Sequence, residues 1–402
     1  MAQVTGARTS YDGGSYTIVP LTPQKRAIAD LIDIIDPMDV PVLKYFGIGD
    51  SGAGGMSKVQ QFRIQNWPST RVEWLEDTMA PLTTTITASM AATNTTATLA
   101  IVAGNANYLR PGHVIKIDDE RLLVRSVSSD SATVTRMWGG TATNVNTSAS
   151  HAANATVEVV SNARDEGDES DPDFTTQVSA PYNHTQVFQA EVKVTRTQNK
   201  ISQFGISAEY DYHVQKRFKE QVRLLEKTLF DGARNAGTSQ TASATVDPRS
   251  MGGFRTFITD NTASLSSGPL TQKDLEDQIM ACWSDGGNPD LIICNGWVKR
   301  KISSFYAPYV RTTRAENAGG VTIDQVETEF GTLNILMSRW CPSSQLYVVS
   351  TEYVGILPYD EFFDEPLAKT GDYERGQVVG EYTLVVKNDK AHARIMNIST
   401  TS

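Results

Sequence analysis

The sequence predicts an α+β protein with more than one domain. Its 402 residues are enough to bury two or three cores, and a content of 40% hydrophobic and 20% charged residues is typical of globular proteins. Helical stripes of apolar residues occur alongside short runs in which every second residue is apolar, which indicates both helices and strands. A stretch from residue 81 to about 160, rich in Thr, Ala, Ser, Asn and Val, predicts a small all-β domain inserted into the rest.

The N-terminal part predicts one helix and then strands. Thr22 is a suitable helix cap and Pro23 suits the first helical position, and apolar residues follow at helical spacing. The glycine-rich stretch FGIGDSGAGG (46–55) comes next and predicts a flexible joint. Residues 62–67 and 71–77 alternate in polarity, so we expect short strands there.

The Thr-rich stretch contains the pattern of a β-meander. Four runs of alternating or continuous apolar residues are separated by turn residues, and they predict strands at 114–117, 122–125, 132–135 and 156–159. We interpret this stretch as a small β-barrel or β-sandwich. An acidic run, Asp165 to Asp173, follows it. A long strand is then predicted from the alternation of Phe188, Ala190, Val192 and Val194.

The longest predicted helix covers residues 207–233, because an apolar stripe recurs there at helical spacing: Val214, Phe218, Val222, Leu225 and Leu229. At about 1.5 Å per residue, such a helix would be a rod of roughly 39 Å. We expect it to stiffen an elongated domain.

The C-terminal third mixes helices and strands. A capping box at Thr271 and Asp274 predicts a helix that ends near the Gly286–Gly287 pair. A buried strand at 291–294, a helix at 297–306 and a hairpin over 321–337 around Gly331 are predicted to follow. The runs 382–386 and 393–398 flank a polar turn, and they predict a closing β-hairpin.

Composition excludes several classes of protein. The net charge of -10 disfavours a reader of nucleic-acid sequence, because duplex binding depends on Lys and Arg neutralising phosphates. Three scattered cysteines, Cys282, Cys294 and Cys341, are too few for a disulfide framework or a zinc site, so we expect reduced core residues. No run of 18 apolar residues predicts a membrane span, and the N-terminus has no secretion pattern, so we expect a cytosolic protein.

The glycine-rich stretch contains two sub-strings that suggest catalysis. Gly47, Gly49 and Gly52 spell G-x-G-x-x-G, but a dinucleotide fingerprint needs a strand before the glycines and a helix after them, and neither is predicted. Ser51 lies in a Gly-Asp-Ser-Gly context, but no pattern links any of the five histidines to it as a base. A phosphate loop would need a Lys after the glycines, and Met56 follows instead.

The acidic run is the one candidate for a metal ion. Residues 165–173 offer carboxylates that could bind calcium, but they lack the ligand spacing of an EF-hand. A solvated loop is the simpler interpretation. We therefore predict no catalytic residue, no cofactor and no metal site.

Several collinear segments resemble a known family. The segments LTQKDLEDQIMACWSDGGNPDLIICNGWVKRKISSF (270–305), FGTLNILMSRW (330–340) and EPLAKTGDYERGQVVGEYTLVVKNDKAHARI (365–395) resemble the major head proteins of tailed bacteriophages whose shells use the Hong Kong 97 fold. Shorter similarities occur outside the Thr-rich stretch: VEWLEDTMAP (72–81), NARDEG (162–167), VKVTRTQNKI and RSMGGFRTFI.

The resemblance implies an arrangement of domains. Residues 1–55 would form an N-terminal arm, residues 56–80 and 160–182 an extended E-loop, and residues 81–159 a β domain inserted on it. The peripheral domain would contain residues 183–254 and 356–402, with 207–233 as its spine helix, and residues 255–355 would form the axial domain.

The resemblance also implies a function and partners. The chain would assemble into pentamers and hexamers of an icosahedral head that encloses double-stranded DNA, with a separate scaffold, a portal and decoration proteins as further partners, and without a membrane. Assembly would occur in the bacterial cytoplasm and the product would be the virion capsid. An encapsulin-like compartment with protein cargo and a Ser51 hydrolase are the alternatives.

The predicted contact residues lie in and beside the E-loop. A projecting two-stranded segment is poorly stable alone, so we expect Trp67 and Trp74 to bury against a neighbouring copy. The charged residues flanking it are expected to pair across subunits and set their register: Arg71, Glu73, Glu76, Asp77, Arg164, Asp165 and Glu166.

Overall fold

The computed structural model describes residues 39–46, 69–92, 96–139, 149–164, 166–167, 176–201, 208–237, 247–306 and 324–400. The chain divides into two compact units, of which the first comprises Met1–Val72 with Asn183–Ser402 and the second comprises Glu73–Tyr182. The helix predicted after Thr22, the strand predicted at 62–67 and the glycines from Gly47 onward in the 46–55 stretch lie outside the described residues.

Helices and strands both contribute, which confirms the α+β class. The helices of the described residues are α1 (Pro41–Tyr45), α2 (Arg196–Lys200), α3 (Glu209–Asp231), α4 (Phe254–Phe257), α5 (Gln272–Ser284) and α6 (Gly296–Tyr306). The strands of the second unit and its borders are β1 (Arg71–Glu73), β2 (Thr83–Thr85), β3 (Thr96–Ala100), β4 (His113–Ile117), β5 (Glu120–Ser128), β6 (Ser131–Thr135), β7 (Thr156–Asn162) and β8 (Tyr182–His184). The remaining strands are β9 (Gln186–Thr195), β10 (Asn261–Ser264), β11 (Leu291–Cys294), β12 (Gln325–Thr328), β13 (Gly331–Met337), β14 (Leu346–Val349), β15 (Val354–Pro366), β16 (Tyr373–Val386) and β17 (Ala393–Met396).

The second unit is an antiparallel β domain. Its six strands follow the order β2-β7-β4-β5-β6-β3. A bridge between Ile86 and Ile101 joins the ends of the outer strands, so the sheet closes on itself as in a small barrel. Ile115, Leu122 and Val134 are fully buried in its centre, because every second residue of each strand faces inward. The four predicted strands of this stretch are confirmed.

The first unit has a mixed six-stranded sheet at its centre, in the order β10-β17-β14-β11-β13-β12. The central strand β11 is buried at every position, because both faces of the sheet are covered. Leu291 and Ile293 face a core that includes side chains of α3, whereas Ile292 and Cys294 face a second core that includes side chains of α5 and α6. The continuous apolar run at 291–294 therefore reflects burial on both sides.

A second sheet of the first unit consists of three long strands in the order β15-β16-β9. Its longest strand, β16, pairs with the whole length of β9, from Tyr373 opposite Thr195 to Tyr382 opposite Gln186. Within β9, Phe188, Val192 and Val194 are buried, as the alternation predicts. This sheet supplies part of the core shared with α3.

The long helix is confirmed with a shorter span than predicted. α3 has 23 residues, which corresponds to roughly 35 Å. In its C-terminal half, Leu225 and Leu229 are fully buried in the core. In its N-terminal half the same stripe continues, but Phe218 is 42% exposed. The chain's own core therefore covers only part of the stripe.

The predicted capping box is present at the start of α5. The Thr271 hydroxyl accepts a hydrogen bond from the backbone N–H of Asp274, and the Asp274 carboxylate accepts one from the backbone N–H of Thr271. The pair satisfies two of the four free N–H groups at the helix start. The hairpin around Gly331 is also present, with β12 antiparallel to β13.

The predicted closing hairpin is wrong. β16 pairs with β15 and β9, whereas β17 pairs with β14 and β10, so the two runs belong to different sheets. The turn between them contains Asn388 in the left-handed region, at φ 52°, and the chain then crosses to the central sheet past the fully buried His392. Alternation identifies both strands, but the strand that each one pairs with depends on the tertiary fold.

Candidate functional site

Two antiparallel stretches of the second unit, residues 73–82 and 176–182, form what we call the contact segment. The backbone N–H of Glu76 donates to the Ser179 carbonyl at 3.0 Å, and the N–H of Ser179 donates back to the Glu76 carbonyl at 2.9 Å. Nearer the segment base, the N–H of Trp74 donates to the Pro181 carbonyl at 3.1 Å. These few bonds define a narrow ribbon, which has little core of its own.

Trp74 is largely covered by its own chain. Its side chain is 5% exposed, and its indole N–H donates to the Glu76 carboxylate at 2.8 Å. The Asp77 carboxylate accepts a hydrogen bond from the Thr176 hydroxyl at 3.2 Å across the ribbon. Two predicted contact residues, Glu76 and Asp77, therefore brace the ribbon internally.

The contact segment exposes apolar side chains that the sequence analysis missed. Leu75 is 75% exposed, Met79 95%, Leu82 66% and Val178 55%. Val72 and Trp74 are buried, so the alternation of the strand places Leu75 on the outer face. The exposure of Leu75 could therefore have been predicted from the alternation of the strand. Such a concentration of exposed apolar residues is typical of an interaction surface.

The other predicted contact residues have separate surroundings. Arg71 and Glu73 are exposed in β1, which pairs with β8 in a two-stranded sheet. Arg164 lies near His113, whose pKa is lowered first by burial and then by the positive charges of Arg110 and Arg164. Glu166 is exposed. Trp67 and Asp165 lie outside the described residues.

The first unit contains an apolar groove of about 280 Å³ between α3 and the β15–β16 pair. The rings of Phe218 and Phe362 meet edge to face with centroids 5.6 Å apart, which fixes the wall on the α3 side. Val214, Phe363 and Val378 add further apolar lining, and Lys219 and Asp364 are its charged residues. The uncovered half of the α3 stripe therefore opens into this groove.

The described residues offer no chemistry for catalysis at the cysteines. Burial raises the pKa of the Cys282 and Cys294 thiols to about 12, so neither is a thiolate at neutral pH. In the described part of the chain, no group of three or more His, Cys, Asp or Glu side chains is placed to hold a metal ion. Ser51 and most of the acidic run lie outside those residues. The described helices include none with the length and apolarity needed to cross a membrane.

Comparison with known proteins gives a match along nearly the whole chain. A family model described as SU10 major capsid protein matches residues 4–399. Among solved structures, the chain is similar to the capsid of a native GTA particle (9% identity, TM-score 0.48, covering 94% of this chain and 96% of that one). It is also similar to the capsid of cyanophage A-1(L) (11%, 0.45, 60% and 85%) and to the SrpI encapsulin of Synechococcus elongatus PCC 7942 (11%, 0.40, 56% and 78%). No curated protein sequence shows significant similarity to the chain.

Proposed function

The chain belongs to the SU10 major capsid protein family, and from this membership we propose how its parts build a phage head. It is a phage capsid shell protein, and many copies of it form the shell of the virion. The observation that carries this function is the family match over residues 4–399. Because this match is to a phage capsid family, an encapsulin-like compartment is the weaker alternative, and a Ser51 hydrolase has no support from it.

Electron microscopy of the expressed chain tests the function. We expect closed shells of uniform size, built from pentamers and hexamers, when the chain is produced alone or with the adjacent head proteins of its phage. Nucleic acid inside shells from infected cells supports a phage head, whereas a folded protein cargo supports the encapsulin-like alternative. Monomers under all of these conditions would contradict the shell function.

The finer arrangement that we propose is that of the Hong Kong 97 fold. The contact segment corresponds to the E-loop (56–80 and 160–182), the β barrel to the inserted domain (81–159), and α3 to the spine helix. The separate compactness of the second unit supports the first two assignments. The helix-covered central sheet supports an axial domain at 255–355, and the N-terminal arm (1–55) and peripheral domain (183–254, 356–402) complete the assignment. Because β17 lies inside that central sheet, between β10 and β14, we extend the axial domain to include Ala393–Met396.

We propose that the contact segment binds a neighbouring copy through its exposed apolar side chains. The energy of such a contact comes mainly from burying apolar surface, at roughly 25 cal/mol per Å². The apolar groove beside α3 of the neighbour is the acceptor that we propose, because it exposes Phe218 and Phe363 at 42% and 41%. The predicted charged residues would then set the register, as surface pairs contribute only about 0 to 1 kcal/mol.

Substitutions in the contact segment test this assignment. The double variant Leu75→Ser with Met79→Ser removes two exposed apolar side chains, and we expect soluble, folded subunits that fail to form shells. The matched control Thr78→Ser removes only one methyl group from an exposed neighbour, and it should assemble normally. Normal shells from the double variant would overturn the proposed contact while leaving the family assignment intact.

Further partners follow from the head function as proposals. A separate scaffold, a portal and decoration proteins are expected to bind the assembled shell, which forms in the bacterial cytoplasm. The net charge of -10 favours weak, sequence-independent proximity to the packaged double-stranded DNA, because a strongly basic lining would bind phosphates tightly.

A further inference from the structure

The β domain contains a network of four charged groups, three of them buried, that the proposed function does not use. The Arg136 guanidinium binds the Glu120 carboxylate through two nitrogens, with Nε at 2.8 Å, and both side chains are completely buried. The imidazole of His151, also completely buried, lies between two carboxylates. Its Nε2 is 2.9 Å from Glu120, and its Nδ1 is 2.7 Å from Asp118.

The network joins parts of the domain that are distant in sequence. Asp118 lies in the turn between β4 and β5, Glu120 begins β5, and Arg136 directly follows β6. Arg136 also donates to the carbonyls of Ala91 and Ala149. The backbone of His151 exchanges two hydrogen bonds with Met90, each of 2.9 Å. The segments at 90–91 and 149–151 are therefore attached to the barrel by charged groups.

The two carboxylate partners of His151 favour one protonation state of its imidazole. A neutral imidazole has one N–H and one lone pair, so one of its nitrogens would place a lone pair against a carboxylate. An imidazolium donates from both nitrogens, which matches two carboxylate partners at 2.7 and 2.9 Å. With His151 charged, the four groups sum to zero. With His151 neutral, the network carries one net negative charge, because Arg136 compensates only one of the two carboxylates.

We propose that His151 is an imidazolium at neutral pH and acts as a proton-dependent pin that fastens the segments at 90–91 and 149–151 to the β domain. The charged groups that face it are Asp118 from the β4–β5 turn and Glu120 from β5, with Arg136 behind Glu120. From the paired segment, the backbone of Met90 exchanges hydrogen bonds with the backbone of His151.

The two carboxylate contacts of His151 differ in how firmly they are held. Glu120 is fixed by Arg136, whereas the Asp118 carboxylate is 66% exposed. When His151 loses its proton, Nε2–H keeps its bond to Glu120, and Asp118 turns toward water. The contact with Asp118 therefore depends on the second proton of His151.

The pin depends on the ionised form of Glu120 as well. Burial would raise the pKa of Glu120, but hydrogen bonds from Arg136 and His151 outweigh it and lower that pKa. The contribution of ionised Glu120 is therefore lost only as the pH falls below the usual carboxyl range.

Nuclear magnetic resonance of the full chain, labelled with ¹⁵N and ¹³C in histidine only, tests the pin. The five histidines give five pairs of ring nitrogens, and His151→Gln assigns one pair by its disappearance. At pH 7 we expect both ring nitrogens of His151 to carry protons. A single protonated nitrogen at pH 7 would overturn the proposal. The measurement is made on the unmodified chain. If His151→Gln does not fold, the shifts caused by Asp118→Asn provide a second way to assign the His151 signals.

The variant Asp118→Asn separates the charge effect from hydrogen bonding. The amide oxygen still accepts from Nδ1–H, but the negative charge is gone, so we expect the ratio of imidazolium to neutral imidazole at His151 to fall roughly tenfold at fixed pH. Hydrogen exchange of the Met90 and His151 amides should accelerate in parallel. The control His113→Gln, in the same domain but outside the network, should change neither readout. An unchanged ratio in Asp118→Asn would overturn the proposal.

Discussion

Glu226 gives the most direct test of electrostatics in the first unit. It lies on α3, is fully buried, and accepts a hydrogen bond from the Ser338 hydroxyl at 2.6 Å. The backbone N–H of Leu43 in α1 donates to its second oxygen at 3.5 Å. Burial raises the pKa of this carboxyl to about 7, although the bonds from Ser338, Leu43 and Val42 favour the ionised form. Glu226 therefore fastens α1 to α3 at an energetic cost when charged.

The size and sign of the effect follow from this pKa. A rise from the ordinary value of 4.5 to about 7 corresponds to about 3 kcal/mol, as each pH unit is worth about 1.4 kcal/mol. Between these two values the folded state binds more protons than the unfolded state. The free energy of unfolding attributable to Glu226 is thus highest below pH 4.5 and falls as the pH rises to about 7.

A second buried group opposes this trend in the same pH range. His392 is fully buried, accepts a hydrogen bond from the Ser350 N–H at 3.2 Å, and has its pKa lowered by burial to about 4. It favours the folded state above pH 6.5 and loses that contribution as the pH falls toward 4. The two contributions partly cancel in the unmodified protein, so its pH profile alone is a poor test.

The informative quantity is therefore the difference between Glu226→Gln and the unmodified chain. Urea unfolding of unassembled subunits from pH 4.5 to 8 gives both free energies, and we expect the difference to change by about 3 kcal/mol across this range in favour of the variant at high pH. Glu220→Gln, on the same helix at a half-buried position paired with Arg217, is the matched control and should give a much smaller change. A constant difference for Glu226→Gln would refute the reasoning.

Three further substitutions test other parts of the fold by the same unfolding measurement. His392→Gln should remove a loss of unfolding free energy of about 3 kcal/mol between pH 6.5 and about 4. An unchanged loss over this pH range would contradict the buried neutral state of His392. Gly380→Ala should destabilise by about 1 to 3 kcal/mol, because the added Cβ would lie 2.5 Å from the Phe362 ring. The control Gly296→Ala, where only the Met337 sulfur comes within 3.4 Å, should be tolerated. Thr271→Ala should cost about 1 kcal/mol through loss of the α5 cap.

Local sequence patterns predicted a helix or strand correctly where a single physical requirement determines which residues occur there. The run at 291–294 is apolar at every position because both faces of its sheet are covered, and the box at Thr271 is readable because the cap needs those two side chains. The pairing of β16 and β17 was not predictable in this way. Each strand shows alternating polarity, but their separation into two sheets depends on distant strands, such as the one in which Gln186 pairs with Tyr382, 196 residues further along the chain.

Alternation predicted a strand at the start of the contact segment, but not which side chains the segment exposes. Tryptophan suggested an interface anchor, yet Trp74 is buried by its own chain and paired with Glu76. Leu75, Met79 and Val178 are exposed because of the way the two stretches of the ribbon pair with each other. For residues beyond β1, alternation in the sequence does not reveal that pairing. The network of Glu120, Arg136 and His151 had no local signal at all, because its members lie 16 and 31 residues apart and meet only through the barrel.

Comparing magnitudes decides which residues would supply the energy of subunit contact. Fully burying a side chain such as Met79 or Leu75 contributes about 1.5 to 3 kcal/mol, whereas an exposed ion pair contributes about 0 to 1 kcal/mol. The exposed charges Arg71 and Glu73 are thus suited to selecting one register among several, because a mismatched pair costs more than a matched pair gains. Since each contact repeats in every copy of a shell, a weak apolar contact per subunit suffices for assembly and still permits errors to dissociate. We therefore expect apolar substitutions in the contact segment to abolish shells, and charge substitutions there to alter shell regularity first.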